Sequence, residues 1–196
     1  MKRRENISRV LGVLLLASTV LAPALSGAVE LDLFVKVDGI PGESQDKFHK
    51  DWIEAVDYGD GILVTTTSGG RSASKPSFDP IKIGKAIDMA SPKLRLVAAS
   101  GTHIKQVVLE FVKNDESRGV LWKIELSDVV IAEVSAGANA SSSGELDLRE
   151  VVAFSFRKIQ WTYYVYDSSG KQKGTVKAGW DLGTNKPVAV QNLPID

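Results

Sequence analysis

The first regular feature of the chain is an alternation. Val29, Leu31, Leu33, Val35 and Val37 are apolar, Glu30, Asp32, Lys36 and Asp38 lie between them, and only Phe34 interrupts the polar side. A period of two puts the apolar set on one face, as in a half-buried β-strand. Gly39-Ile40-Pro41-Gly42-Glu43-Ser44 then supplies turn residues, glycine for unusual φ and proline to fix it. Residues 52–58 and 62–67 predict short strands on either side of Gly59-Asp60-Gly61, and residues 68–77, rich in Gly and Ser, predict a long exposed loop.

One stretch has helical spacing. Asp79 fits an N-cap with Pro80 at the first helical position, and Ile83, Ala86, Ile87 and Ala90 follow at i, i+3, i+4 and i+7. The pattern predicts a short helix ended by Ser91-Pro92. Strands are expected to resume at 94–99, 104–113 and 120–134, the last bending at Ser127-Asp128. Residues 135–144 are Ala, Ser, Gly and Asn in low-complexity order and predict a surface loop. Beyond them Val152, Phe154 and Phe156 share one parity, while Ile159, Trp161, Tyr163 and Val165 share the other. Such a switch turns a strand's faces over unless a bulge absorbs it, so a bulge or sharp bend is expected near Arg157-Lys158. Asp167-Ser168-Ser169-Gly170 reads as a hairpin turn into a strand at 175–182. The expected fold is mainly β: an antiparallel barrel or sandwich of about eight strands with one short flanking α-helix.

Ahead of this domain, residues 1–28 have the layout of a secretory signal peptide. Lys2, Arg3, Arg4 and Arg9 form a basic region, an apolar run of 13 residues spans 10–22, and Ser26-Gly27-Ala28 offers a cleavage site before Val29. The run is short of the roughly 20 residues that span a bilayer. A short uncut anchor is the alternative. The division is thus a signal peptide over 1–28 and a β domain over 29–196. Arg3-Arg4 lacks the remainder of a twin-arginine pattern, and without Cys there is no lipoprotein signal, so the general secretory route is expected.

Charge is informative only after this division. The whole chain has 24 basic and 24 acidic side chains, but residues 1–28 hold four basic and one acidic, so 29–196 carry 20 and 23, a net of −3. That balance gives no electrostatic basis for nucleic-acid binding. At 43% apolar residues the chain can bury a core. The absence of Cys removes disulfides, thiolate metal sites and cysteine nucleophiles.

Candidate chemistry is sparse. His49 lies in a polar connection and His103 after Ser100-Gly101-Thr102, each reading as a surface or turn histidine rather than a general base. Ser72-Ala73-Ser74-Lys75 spells S-x-x-K without the companion elements of that mechanism. Asp57-Tyr58-Gly59-Asp60-Gly61 lacks the spacing of a calcium loop. Trp161, Tyr163, Tyr164 and Tyr166 beside Arg157 and Lys158 are better explained by alternate packing in a strand than by a stacking platform. No catalytic centre, metal site or cofactor is expected.

Three blocks of residues carry a family resemblance. The first is Asp32-Leu33-Phe34-Val35-Lys36-Val37-Asp38-Gly39-Ile40-Pro41-Gly42-Glu43-Ser44, with Asp46, His49 and Ile53-Glu54-Ala55-Val56 behind it. The second is Phe78, Ile87-Asp88-Met89-Ala90-Ser91-Pro92-Lys93-Leu94, Ala98, Gly101 and His103, and the third is Gly179-Trp180-Asp181-Leu182 with Asn185. In this order, across nearly all of residues 30–188, the chain resembles the Hcp family, haemolysin-coregulated proteins that build the inner tube of bacterial type VI secretion systems.

The resemblance implies a β-barrel-like domain that assembles head to tail with itself into hexameric rings. Those rings stack into a tube whose lumen holds small effector proteins, and other type VI secretion components are further partners. It brings no catalytic residues and no cofactor. The family's ring-stacking loop falls at about residues 59–77, which makes Gly69, Gly70, Arg71 and Lys75 the candidate contacts. The expected location is periplasmic or extracellular with the leader, without stable membrane insertion after its removal. Cytoplasmic assembly and release by type VI secretion is the alternative if translation starts later. A second function class stays open, an exported β-barrel binding a sugar, lipid or protein through its aromatic run and its 135–144 loop. A hydrolase using His49 or His103 is the third.

Overall fold

The structure, a computed structural model, describes residues 30–66, 74–140 and 144–192. Its centre is a set of antiparallel pairings that closes on itself. β1 (Leu31–Val37) pairs on one edge with β2 (Ile53–Ala55) and on the other with β7 (Ile104–Lys113). From β7 the sheet continues to β8 (Val120–Ala140) and β9 (Leu146–Tyr166). The remaining edge of β9 is divided. Residues 149–154 pair with β6 (Ile81–Ala86), and residues 158–166 pair with β10 (Gln172–Asp181). β6 pairs in turn with β3 (Asp57–Gly59), which follows β2, so the circuit returns to β1 as a barrel. β11 (Lys186–Pro187) lies outside β10, and β4 (Ile62–Leu63) and β5 (Ser77–Phe78) form a separate two-stranded sheet.

Alternation explains the core. Leu33, Val35 and Val37 of β1 are buried, and their row runs from Ile53 through Val35, Leu109 and Ile124 to Trp161 across five strands. Each fully buried aliphatic side chain in such a row contributes about 1.5–3 kcal/mol. Phe34 points to the opposite face and is buried there too.

The parity switch is where the sequence places it. Arg157 and Lys158 are consecutive exposed residues, while Phe154 and Ile159 are buried on either side. Their partner strand bends at the same level. Asp128 has φ +53°, between the pairs Ser127–Lys158 and Val129–Phe156. Leu126 and Val129 are therefore both buried although they differ in parity. A second irregularity, between Ile131 and Glu133, has no counterpart in the residue pattern.

The expected helix is corrected. Residues 81–86 form β6, with Ile81, Ile83 and Lys85 inward, and α1 (Ser91–Ser100) occupies the segment expected to be a strand at 94–99. Pro92 opens this helix instead of ending one, because a first-turn residue has no hydrogen-bond partner for the N–H that proline lacks. Gly101 closes it at φ +62°, with its N–H on the Ala98 carbonyl. The expected loop at 135–144 is corrected as well. β8 runs on to Ala140 and pairs with residues 146–151, since a ladder of backbone hydrogen bonds needs no bulky side chains. The leader (1–28), Gly69, Gly70 and Arg71 lie outside the described residues.

Candidate functional site

The two histidines have opposite surroundings. His103 is exposed on its turn, with Nδ1 2.6 Å from Asp128 Oδ1. His49, expected at the surface, is only 3% exposed, which corrects that reading. Its ring stacks on Phe34 at 4.3 Å and meets Trp52 edge-on at 4.9 Å. Nδ1 lies 2.7 Å from Asp46 Oδ1, and Nε2 lies 2.9 Å from Glu110 Oε2 on β7. The sequence signal that was passed over is Phe34, whose apolar side chain on the polar face of β1 requires a cover.

Asp46 gathers the segment around it. Its Oδ1 also accepts the Phe48 and His49 amides, and its Oδ2 accepts Arg118 Nη2 at 2.8 Å. Burial would raise its pKa, but the His49 ring, these amides and Arg118 outweigh that effect and hold it at about 2. Arg118 also donates to Asp32, and Lys123 reaches Glu110 at 3.8 Å and Glu125 at 3.3 Å. Ionisable side chains thus run in an unbroken series from Asp32 through Arg118, Asp46, His49, Glu110 and Lys123 to Glu125. A cleft of about 540 Å3 lies beside Arg118, whose guanidinium is already taken by the two aspartates.

A second ionic group is centred on two fully buried side chains, Lys85 and Glu150. Lys85 Nζ donates to Glu150 Oε1 at 2.9 Å, Asp88 Oδ1 at 2.7 Å, the Ala86 carbonyl at 2.7 Å and Ser91 Oγ at 3.2 Å. Glu150 also accepts Ser91 Oγ and Arg95 Nη2 from α1. This group ties the start of the helix to β6 and β9. Read as part of a helix, Lys85 gives no sign of burial; read with Ile81 and Ile83 at a period of two, it does.

In neither ionic group does an exposed nucleophile stand beside a base, since Ser91, whose hydroxyl meets Glu150, is buried. Among the described residues no group of three His, Cys, Asp or Glu side chains could hold a metal ion, and no helix is long and apolar enough to cross a membrane. The aromatic run is divided by alternation. Trp161 packs against the core and stacks near Phe78, and Tyr166 donates its hydroxyl to the Val120 carbonyl beneath Lys113 Nζ.

What the barrel leaves uncovered is apolar surface. Ile87, Leu148 and Ala138 share a cross-strand row, followed by Leu146 and Ala140, and Leu146 and Leu148 are 75% and 50% exposed. At the other end of β9, Tyr163 and its cross-strand neighbour Val176 are exposed. Ile62, Leu63 and Val64 form a third exposed group on the β4–β5 hairpin. That hairpin carries the segment of the candidate stacking residues. Of these, Lys75 is described and exposed, next to Ser74, whose N–H bonds the Thr65 carbonyl at 2.9 Å.

Known proteins share this architecture. A family described as "Type VI secretion system effector, Hcp" matches residues 34–163. Protein hcp1 of Pseudomonas aeruginosa is 31% identical over 160 residues, covering 79% of this chain and 97% of its own length. The crystal structure of Hcp1 from Salmonella typhimurium superposes with a TM-score of 0.66 at 33% identity, over 81% of this chain and 99% of that one. A type six secretion system protein of known structure reaches a TM-score of 0.74 at 25% identity, over 81% and 100%. The closed β-barrel, the single flanking helix among the described residues and these matches together place the chain in the Hcp family of type VI secretion tube proteins, a structural family.

Proposed function

We propose that the chain assembles into hexameric rings, each subunit meeting the next head to tail, and that the rings stack into a tube with room for small effector proteins. The observation that carries this reading is the position of the uncovered apolar groups. Leu146 and Leu148 stand at the start of β9 and Tyr163 near its end, outside a core that is already closed. Exposed apolar area at two separate places suits a heterologous interface, in which one face of a subunit meets a different face of its neighbour. Stacking is assigned to the segment carried by β4 and β5, with Gly69, Gly70, Arg71 and Lys75 as contacts and Ile62, Leu63 and Val64 as apolar support. Residues 1–28 are read as a cleaved leader that delivers residues 29–196 across the membrane.

Light scattering on purified residues 29–196 tests the ring. A mass of six chains is expected, and a strict monomer at micromolar concentration contradicts it and favours the exported binding module. Mass spectrometry of the exported protein tests the leader. An N-terminus at Val29 is expected, and retained Met1 contradicts it.

A further inference from the structure

The segment between β1 and β2 contains no strand longer than an isolated bridge, yet it lies against the sheet in a defined shape. Its own backbone bonds are few: from Gly42 onward they are Gly42 N–H to Asp51 O at 2.8 Å, Ser44 N–H to Trp52 O at 3.0 Å, Asp51 N–H to Ser44 O at 3.0 Å and Trp52 N–H to His49 O at 3.1 Å. Side chains do the remaining fastening, and His49 is at their centre. Carboxylates of two different elements face its two ring nitrogens, Asp46 from the segment itself and Glu110 from β7. An ionised carboxylate has no hydrogen to give, so a bond at both nitrogens uses a hydrogen on each. Remove one hydrogen and a nitrogen lone pair faces an oxygen lone pair inside a site from which water is largely excluded.

We propose that His49 is a proton-dependent latch, holding the segment from Gly42 to Trp52 on the sheet while both ring nitrogens carry hydrogen and releasing it when one is lost. The surrounding charges make it a latch instead of a simple ion pair. From β1 come Asp32 and Lys36, from β2 Glu54, from β7 Glu110, from β8 Lys123 and Glu125, from the β7–β8 turn Arg118, and from the segment Asp46, Lys47, Lys50 and Asp51. Asp46 keeps Arg118 and Glu110 keeps Lys123 when the ring turns neutral, so proton loss undoes one of the two ring hydrogen bonds without leaving either carboxylate bare. Tyr164, whose hydroxyl faces Lys123, Glu110 and Glu125, is pushed up by burial and stays out of this exchange. Histidine is the member of this set whose side-chain type changes charge near neutral pH. The sign follows: latching is complete at low pH and is lost as pH rises. The segment so controlled carries Phe48, 63% exposed, whose amide is one of those held by Asp46.

The test reads the charge of the ring and the order of the segment separately. The chain has two histidines, so NMR of their ring protons gives two resonances, with exposed His103 as the internal reference. Hydrogen exchange of the Phe48 and His49 amides, corrected for intrinsic rates, is followed on the same protein from about pH 5 to about pH 10. The expected result is that protection of both amides is lost at the pH where the His49 resonance titrates. Glu110→Gln removes one carboxylate and is expected to move that common midpoint to lower pH, whereas His49→Gln abolishes the pH step and leaves exchange uniformly faster. Amide protection that persists while His49 titrates overturns the proposal, and so does a His49 ring that does not titrate in this range. A merely structural role would lower protection in the variants without moving a midpoint.

Discussion

At the scale of single residues, Lys85 and Asp46 each hold together an ionic group that joins separate elements. Lys85 sits with Ile81 and Ile83 on the inner side of β6 and is balanced by Glu150 and Asp88. Replacing it by Met leaves Glu150 buried with only Arg95 and Ser91, and removal of one partner from a buried pair typically costs about 3–5 kcal/mol. Urea unfolding of Lys85→Met is expected to show a loss toward the lower end of that range, and adding Glu150→Gln to recover part of it. Asp46 makes a pH-dependent contribution of the opposite sign to that of His49. Its folded pKa of about 2 lies below its usual 3.8, so its contribution is complete above 3.8 and is lost as pH falls through about 2. The shift corresponds to about 2 kcal/mol. The stability of the native chain is therefore expected to fall more steeply than that of Asp46→Asn over this acid range, as followed by urea midpoints. Neither group is plain in the sequence, because a charged residue announces its partner only when the register of a distant strand is known.

At the scale of elements, legibility depended on whether side chains or backbone defined the structure. β1 is defined by which side chains go inward, and the alternation marks it, while β7 is marked by its apolar β-branched run. The shared bend at Asp128 and Arg157 is legible for the same reason, since two parities meet there. Ile83, Ala86, Ile87 and Ala90 happen to satisfy a helical spacing, but Ile81, Ile83 and Lys85 satisfy a strand, and pairing with β9 decides between them. The far end of β8 was hidden for the converse reason, because its Ala, Ser and Gly side chains say little while its backbone ladder with the start of β9 is regular. Asp128 provides a test of the bend. Asp tolerates positive φ, Gly adopts it freely, and a β-branched residue there is strained by about 1–3 kcal/mol. Asp128→Val is expected to lower the thermal midpoint clearly and Asp128→Gly much less, measured by circular dichroism.

At the scale of the whole molecule, the barrel is closed by β3 and β6, so the exposed apolar side chains are not a frayed core awaiting more strands. They are surface, so the proposed ring is tested by changing them. Leu148 stands near the start of β9 and Val176 on β10 beside the end of β9, so Leu148→Asp and Val176→Asp probe the two sides of the proposed head-to-tail contact. Each is expected to yield smaller particles in light scattering with an unchanged thermal midpoint. A ring of native size in both variants would remove these positions from the interface. The family is legible from its three sequence blocks because they hold the turn glycines, the buried histidine segment and the helix start. The interface is not, because a surface Leu reads the same whether water or a neighbour covers it.

The divided edge of β9 has a mechanical consequence. One strand of 21 residues is bonded to β8 over residues 146–163, and on its other side first to β6 and then to β10. Its ladders run perpendicular to its axis. Tension between the hairpin tip and the β10 turn is therefore carried in shear by many hydrogen bonds at once, instead of peeling them singly. A subunit pushed or pulled along this strand transmits load as a stiff beam.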